Sequence, residues 1–395
     1  MAASGDNDAF PWHLGIFDAH CHPTDNLNSL RKIPGMRAKV LTVMATRSQD
    51  QSLVAEAADE FGVVQTDAIH ADTDWSQEQK IVPAFGWHPW FSHQLYDESQ
   101  YEGRLSLSQS EKAHHYRRIL APAPKDETWL QTLPDPSPLG RFLQETETFL
   151  EKYPVALIGE VGLDRSFRIP EPWGPAEAEK RDASVTAGGR ESRKLSPFRV
   201  SIDHQKEILL AQLRLAGRLQ RAASVHGVQA HGHVYDTLAE SWKGHENQVT
   251  SQRERKRTAS AISRNAQPVE EESQSDKESN VERPFPPRLC LHSYSGSADA
   301  VSRYLAPAVP CDVFFSFSSA VNSWADDGSG KVEASVKAVP DGNILVESDL
   351  DTAGENMDAA LEEVVRKICK LKGWSLDDGV SQLGHNWRRF VFGHS

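Results

Sequence analysis

Short apolar runs alternate with stretches of helical periodicity along most of the chain. A strand that is buried on both faces reads as a continuous apolar run, because neither face meets water. Strands that alternate with helices form βα units and a parallel sheet. The pattern therefore predicts an α/β fold, a (β/α)8 TIM-type barrel with surface insertions. The apolar runs, about eight in number, lie at 14–17, 39–45, 81–85, 155–158, 222–226, 288–291, 313–317 and 343–346.

Amphipathic stretches fill several of the intervals between these runs. Apolar residues three and four positions apart form the stripe by which a helix packs on a sheet. Ser48 is a suitable N-cap for the first of them. These predicted helices lie at 48–61, 139–150, 202–219, 357–371 and 383–390.

Three polar stretches interrupt the alternation. Residues 97–137 are charged and then Pro-rich, and residues 166–197 are rich in Gly, Pro and charge. Residues 243–287 contain QRERKR and EEESQSDKES with almost no large apolar side chain, which predicts disorder. We therefore expect one barrel domain over residues 1–395, with the first two stretches as surface insertions and the third as a disordered spacer.

Composition narrows the setting in which the barrel acts. The net charge is −13, so the surface on average repels nucleic acid and any phosphate binding must be local. The four cysteines lack CxxC spacing and predict reduced thiols in an intracellular protein. No apolar run is long enough to span a membrane and no signal peptide is evident. We expect a protein of the cytoplasm, the nucleus or both, not secreted and without a membrane partner.

The apolar runs repeatedly end on side chains that can bind a metal. His20 and His22 are two residues apart, so a strand presents both imidazoles on one face. In a barrel of this kind the carboxyl ends of all strands meet at one rim. Imidazole and carboxylate ligands without thiolate suit Zn, Mn or Mg. The other such side chains are His88, Glu160, His226, His292 and Asp349.

These strand ends belong to motifs with a family resemblance. In order, they read DAHCH, GWHP, GEVGLD, VH, LHSYSG and ESD, followed by LGHNWRRFVF with Asn386 and Phe390. The set resembles the TatD family of metal-dependent deoxyribonucleases, a branch of the amidohydrolase-type barrels. It is most similar to a fungal subgroup that includes proteins described as partners of an anaphase-promoting-complex subunit. The resemblance covers nearly the whole chain apart from the insertions.

The resemblance implies a two-metal hydrolase of DNA. His20 and His22 would bind one divalent ion with Asp349, Glu160 would bridge, and the remaining two ligands would hold a second ion. Asp349 would also accept the proton of the attacking water. In the family pattern His88 lies near the substrate phosphate, and Asp18 would orient a ligand histidine. His226 and His292 would be the ligands of the second ion.

Substrate contacts are also expected at the rim. Trp87, Trp90 and Tyr294 flank it and are candidates for stacking on bases. Two positions depart from the family: Val228 stands where the family often has Arg, and Arg165 stands where an aromatic residue is usual. Arg165 is a candidate to restore the lost positive charge near phosphate.

Two other functions fit the same residues. The ligand set could hydrolyse a small amide, ester or lactone, because this barrel type supports many chemistries. Alternatively, the barrel could serve as a non-catalytic scaffold that binds a cell-cycle complex subunit. Activity on nucleic acid separates the first alternative from the DNA hydrolase, and partner binding without hydrolysis identifies the second.

Overall fold

Eight parallel strands form one sheet in the part of the chain that the structure describes. The structure is a computed structural model, and each strand is hydrogen-bonded to the next in chain order. The strands are β1 Phe17–Cys21, β2 Val40–Met44, β3 Ile81–Phe85, β4 Leu157–Asp164, β5 Ala223–Val228, β6 Arg288–Leu291, β7 Asp312–Phe317 and β8 Ile344–Val346. The described residues are 9–63, 78–174, 178–179, 181–182, 184–186, 191, 193–249, 283–322, 324 and 330–393.

The sheet closes into a barrel beyond the end of β8. The Asp349 N–H donates to the His20 carbonyl at 3.0 Å, and the His22 N–H donates to the Leu350 carbonyl at 2.8 Å. These bonds join the last strand to the first at the rim where the candidate ligands lie. The predicted (β/α)8 barrel is confirmed.

Helices surround the sheet, and the last one packs against the end of the barrel where β1 begins. On that helix Trp387 stacks on Phe17 with ring centroids 4.6 Å apart, and its Nε1 donates to Thr42 at 3.0 Å. None of the described helices is both long and apolar enough to cross a membrane. The helices are α1 Ser48–Phe61, α2 Gln109–Ile119, α3 Glu127–Thr132, α4 Leu139–Lys152, α5 Ile202–Arg218, α6 His231–Trp242, α7 Ala298–Tyr304, α8 Lys331–Ala338, α9 Glu355–Lys372 and α10 Leu376–Phe392.

The first insertion is folded and not merely a loop. It contains α2 and α3, and Ser108 and Glu111 form a capping box at the start of α2. Tyr116 and Leu130 lie in a separate apolar cluster that also takes in Ile169, from the second insertion. The two insertions therefore pack on each other beside the barrel. Of the predicted disordered segment 243–287, residues 250–282 lie outside the described residues.

The four cysteines are free thiols, as the sequence predicts. Cys21, Cys290 and Cys369 are buried, and Cys311 is half-buried. Each therefore contributes to side-chain packing in this structure.

Replacing Asn386 with alanine should destabilise the barrel. The buried Asn386 amide donates to the carbonyls of Asp341 at 2.6 Å and Ile344 at 2.8 Å, next to β8. Without it these carbonyls lose their donor, which should lower the free energy of unfolding by about 1–3 kcal/mol. Asn247 is the matched control, because its exposed amide also donates to two carbonyls. Denaturant unfolding should show a change of about 0.5 kcal/mol or less for Asn247→Ala; equal losses would contradict the account.

Candidate metal centre

The candidate ligands from distant parts of the sequence lie together at the carboxyl ends of the strands. Glu160 occupies the middle of the group and is 3% exposed. It projects from β4, while the histidines come from β1, β5 and the residues that follow β1, β3 and β6. The parallel barrel brings these strand ends to one rim, which is why a group so dispersed in sequence is compact in space.

The first two histidines face one oxygen of Glu160. His20 Nε2 and His22 Nε2 are 3.1 Å apart. Glu160 Oε2 lies 3.4 Å from the first of these nitrogens and 3.1 Å from the second. Asp349 Oδ1 lies 3.8 Å and 3.7 Å from the same two nitrogens. Two nitrogens and two carboxylate oxygens therefore surround a common point.

The second pair of histidines faces the other oxygen. His226 Nδ1 and His292 Nε2 are 3.1 Å apart, and each lies 2.8 Å from Glu160 Oε1. Each oxygen of this one carboxylate thus has its own pair of imidazoles.

The donor spacing fits divalent cations. Two nitrogens bound to one Zn²⁺ at about 2.0–2.1 Å lie about 2.9–3.4 Å apart for angles between octahedral and tetrahedral. Both nitrogen pairs, at 3.1 Å, fall in this range. The oxygen and nitrogen donors without thiolate suit Zn²⁺, Mn²⁺ or a similar ion.

Neighbouring side chains orient the imidazoles. Ser224 Oγ lies 2.8 Å from His20 Nδ1, and Asp164 Oδ2 lies 3.2 Å from His226 Nε2. A carboxylate accepts, so the bond to Asp164 places a ring proton on His226 Nε2, and in the neutral ring the lone pair of Nδ1 faces Glu160. The Ser224 hydroxyl fixes the orientation of the His20 ring. Metal-binding histidines are commonly held in this way.

Electrostatics favour positive charge in this group. Burial alone would raise the pKa of Glu160, but His88, His292 and His20 hold it well below its usual range. Burial alone would lower the pKa of His22, yet Glu160, Asp25 and Asp349 raise it to about 9. Burial lowers the pKa of His20 to about 3 and raises that of Asp349 to about 6. The carboxylates therefore attract a cation, whether a proton on His22 or a metal ion.

Backbone approach between β4 and β5 brings Glu160 close to His226. Gly162 has φ +147°, and a Cβ there would lie 2.1 Å from the His226 carbonyl oxygen. Glycine is the residue that tolerates both conditions. A side chain at this position would push the two strands apart.

Comparisons with known proteins give the family. The family model for TatD related DNases matches residues 17–392. The chain belongs to the TatD family. Cut9-interacting protein scn1 of Schizosaccharomyces pombe is 34% identical over 376 residues, which cover 95% of this chain and 98% of that protein. An uncharacterized deoxyribonuclease of Saccharomyces cerevisiae, YMR262W, is 24% identical and covers 95% of this chain and 99% of its own length.

YJJV, a TatD homologue of Escherichia coli, has a TM-score of 0.49 at 15% identity, covering 96% of this chain and 98% of that chain. The family resemblance drawn from the motifs is confirmed by the family match itself.

His88 contacts Glu160 in this TatD protein. Its Nε2 lies 3.0 Å from Glu160 Oε1, and its Nδ1 accepts the Trp90 N–H at 3.1 Å. Burial lowers the pKa of His88 to about 4, so the ring is neutral near pH 7. A neutral ring that accepts at Nδ1 carries its proton on Nε2 and donates it to Glu160. His88 therefore orients the carboxylate, and phosphate contact stays a prediction.

Asp18 is bonded to the main chain of a candidate ligand. It accepts the N–H groups of His20 and Ser348, each at 3.0 Å, and the Ser348 hydroxyl. These contacts tie β1 to the residue before Asp349, and none is to an imidazole. Asp18 therefore contacts the main chain of His20, and its role in orienting a ligand histidine stays a prediction.

Two of the predicted stacking residues are buried in the fold. Trp87 is 4% exposed and meets Phe142 edge-to-face, while Tyr294 is 3% exposed and meets Phe315 in the same way. Neither ring is free to stack on a base, so these two predictions are corrected. Trp90 is half-buried and stacks on Phe167 with centroids 4.8 Å apart.

The two departures from the family pattern lie side by side. Arg165 is exposed, and its N–H donates to the Val228 carbonyl at 3.1 Å. The main chain of Arg165 is thus next to the position where the family often has Arg, and the phosphate contact of its side chain remains a prediction.

Sequence reasoning missed Ser224, Asp164 and Glu347. Glu347 is fully buried, accepts the Ser293 N–H at 2.7 Å, and lies 3.6 Å from His292 Nδ1. Asp164 also accepts the Trp90 Nε1–H at 2.7 Å. Two of the three stand within the motifs GEVGLD and ESD, where a buried carboxylate next to a ligand could have signalled them.

Proposed function

We propose that this protein hydrolyses phosphodiester bonds of DNA at a centre that holds two divalent cations. The observation that carries the proposal is the position of Glu160, whose two oxygens each face a different pair of imidazoles. One carboxylate between two sets of nitrogen ligands is the arrangement expected of a two-metal hydrolase.

The protein groups divide between the two ions. His20, His22 and Asp349 would hold one, His226 and His292 would hold the other, and Glu160 would bind both. When bound, such ions polarise a phosphodiester and lower the pKa of water. Zn²⁺, Mn²⁺ and Mg²⁺ are the candidates, and the number of histidines favours the first two.

Asp349 is the proposed proton acceptor. Its Oδ1 faces the first histidine pair, whereas its Oδ2 lies 3.1 Å from Ser293 Oγ. The main chain fixes this side chain, because the Asp349 N–H is bonded to His20 and the residue has a left-handed φ of +54°. Its carboxylate is therefore held beside the first histidine pair.

DNA is the proposed substrate class for two reasons. The family is described as TatD related DNases, and the relative YMR262W is named a deoxyribonuclease. Cations would also answer the charge problem, since a chain of net charge −13 needs local positive charge to bind phosphate.

Metal removal and restoration test the proposal. Protein loaded with Zn²⁺ or Mn²⁺ should cleave DNA, lose cleavage after chelation and regain it when the ion is returned. The reason is that the bound cations would supply the positive charge needed to hold and polarise the phosphodiester. A panel with one simple amide, one ester and one lactone is run beside the DNA. Cleavage of that panel without any cleavage of DNA would contradict the proposal and favour the small-molecule hydrolase.

A second proposed function is binding of a cell-cycle complex subunit. The supporting observation is that the relative with 34% identity is named for its interaction with Cut9. Purified Cut9 should be retained by the immobilised chain, and equally by the Glu160→Gln variant, because a partner role does not need the metal ligands. No retention by either form would refute this second role.

A further inference from the structure

A cavity of about 600 Å³ lies beside the candidate centre and is built partly by the insertions. Its walls come from the segment after β2, the turn Pro89–Gln94, the residues before α4 and the second insertion. Its volume falls in the range of about 300–1,000 Å³ typical of ligand sites. We call it the arginine cleft, after the residues that the argument uses: Arg47, Arg181, Arg193, Phe91, Phe167 and Trp173.

Ring contacts connect the arginine cleft to the centre. Phe167 stacks on Trp90 with an interplanar angle of 11°. Trp90 meets the His88 ring at 4.7 Å and the His226 ring at 6.3 Å, measured between centroids. Phe167 and Trp90 therefore separate the cleft from the rings of His88 and His226.

The cleft concentrates positive charge beside aromatic surface. The Arg47 guanidinium lies 4.3 Å from the centroid of Phe91, and that of Arg193 lies 5.2 Å from the centroid of Trp173. Arg181 pairs with Glu191 at 2.7 Å. Arg47 pairs with Asp50 at 3.2 Å, so the three arginines of the described lining keep an excess of one positive charge over these two carboxylates, in a chain whose net charge is −13.

This combination suits a nucleotide strand. Arginine guanidinium groups bind phosphate with paired hydrogen bonds, and aromatic rings stack on bases of any sequence. Stacking needs an exposed base face, which a single strand offers and a duplex does not.

We propose that the arginine cleft is a subsite for the nucleotides next to the scissile phosphate of a single-stranded nucleic acid. The proposal rests on the proposed function, because it extends the same substrate beyond the centre. Phosphates would lie against Arg193 and Arg181, and a base would stack on Trp173 or Phe167. The subsite makes the enzyme selective for oligonucleotides over small diesters.

Arg193→Gln and Trp173→Ala test the subsite. Both side chains are half-buried, so the variants should fold. The ratio of kcat/KM on a single-stranded oligodeoxynucleotide to kcat/KM on bis(p-nitrophenyl) phosphate should fall about tenfold or more in each variant, mainly through KM. Arg218→Gln is the matched control: it removes the same charge at the far end of α5, where Arg218 pairs with Glu147. That variant should keep the wild-type ratio.

Binding without turnover separates the two proposals. Fluorescence anisotropy with the Glu160→Gln protein and the same oligonucleotide should show weaker binding after Arg193→Gln, with the salt slope reduced by about 0.7. The matching duplex should bind more weakly than the single strand.

If wild type hydrolyses neither substrate, the proposed function fails, and the anisotropy measurement alone decides whether the cleft binds a nucleotide strand. Unchanged ratio and affinity in both cleft variants, or equal duplex binding, would overturn the subsite; loss of Cut9 retention with unchanged oligonucleotide affinity would assign the cleft to a protein partner.

Discussion

Replacing Glu160 with glutamine is expected to remove both bound metal and hydrolysis. The carboxylate has one oxygen for each histidine pair, at 2.8 Å on one side and 3.1 Å on the other. An amide keeps one of these oxygens and turns an N–H donor toward the other pair, where a cation would be repelled. Loss of several kcal/mol of transition-state stabilisation corresponds to a fall in kcat/KM of about a thousandfold.

The result is measured by metal content and by cleavage rate in the same preparation. Glu145→Gln is a suitable control, because Glu145 pairs with Arg141 on the outer face of α4. It should keep both metal and activity. Full metal content and full activity in Glu160→Gln would show that the carboxylate does not bridge.

Asp349→Asn is expected to slow the reaction while preserving the fold. Asparagine tolerates the left-handed backbone of this position, where φ is +54°, and retains an oxygen that can face the histidine pair. It cannot accept a proton from water, so kcat should fall by about 10²–10⁴-fold if Asp349 is the general base. Single-turnover cleavage at saturating DNA measures this directly.

Asp351 provides the matched control for this variant. It is an exposed aspartate in the same loop, hydrogen-bonded to Thr352. Asp351→Asn should leave kcat and metal content unchanged. An Asp349→Asn enzyme as fast as the Asp351→Asn enzyme would assign proton transfer to another group.

The barrel could be predicted because its strands are buried on both faces. Runs such as Ile81–Phe85 and Arg288–Leu291 have the same bounds in sequence and structure. The run predicted at 155–158 is instead the strand Leu157–Asp164. The hydropathy pattern ended this strand early, because Glu160 and Asp164 are polar in the sequence, although in the fold both are buried in contact with His226.

The ligand set could be predicted from residue type and strand ends, but its detail could not. Which nitrogen of His226 faces Glu160 depends on Asp164, and the orientation of His20 depends on Ser224, 204 positions away in the sequence. The sequence also did not show that the rings of Trp87 and Tyr294 are buried. Closeness in sequence to a ligand does not tell whether a ring turns to the rim or into the core.

The first insertion shows a similar limit. Its helix α2 has few apolar residues and many charges, so the sequence pattern predicts a surface loop there. The residues that bury it, Tyr116 and Leu130, meet Val200 from a segment about 70–85 positions later. Pairing of this kind across insertions leaves no periodic signal in either stretch.

Anomalous diffraction from a crystal grown with Mn²⁺ is the most direct test of the two-metal centre. The proposal predicts two peaks, one among His20, His22 and Asp349 and one beside His226 and His292, with Glu160 between them. A single peak, or peaks that lie away from Glu160, would contradict it.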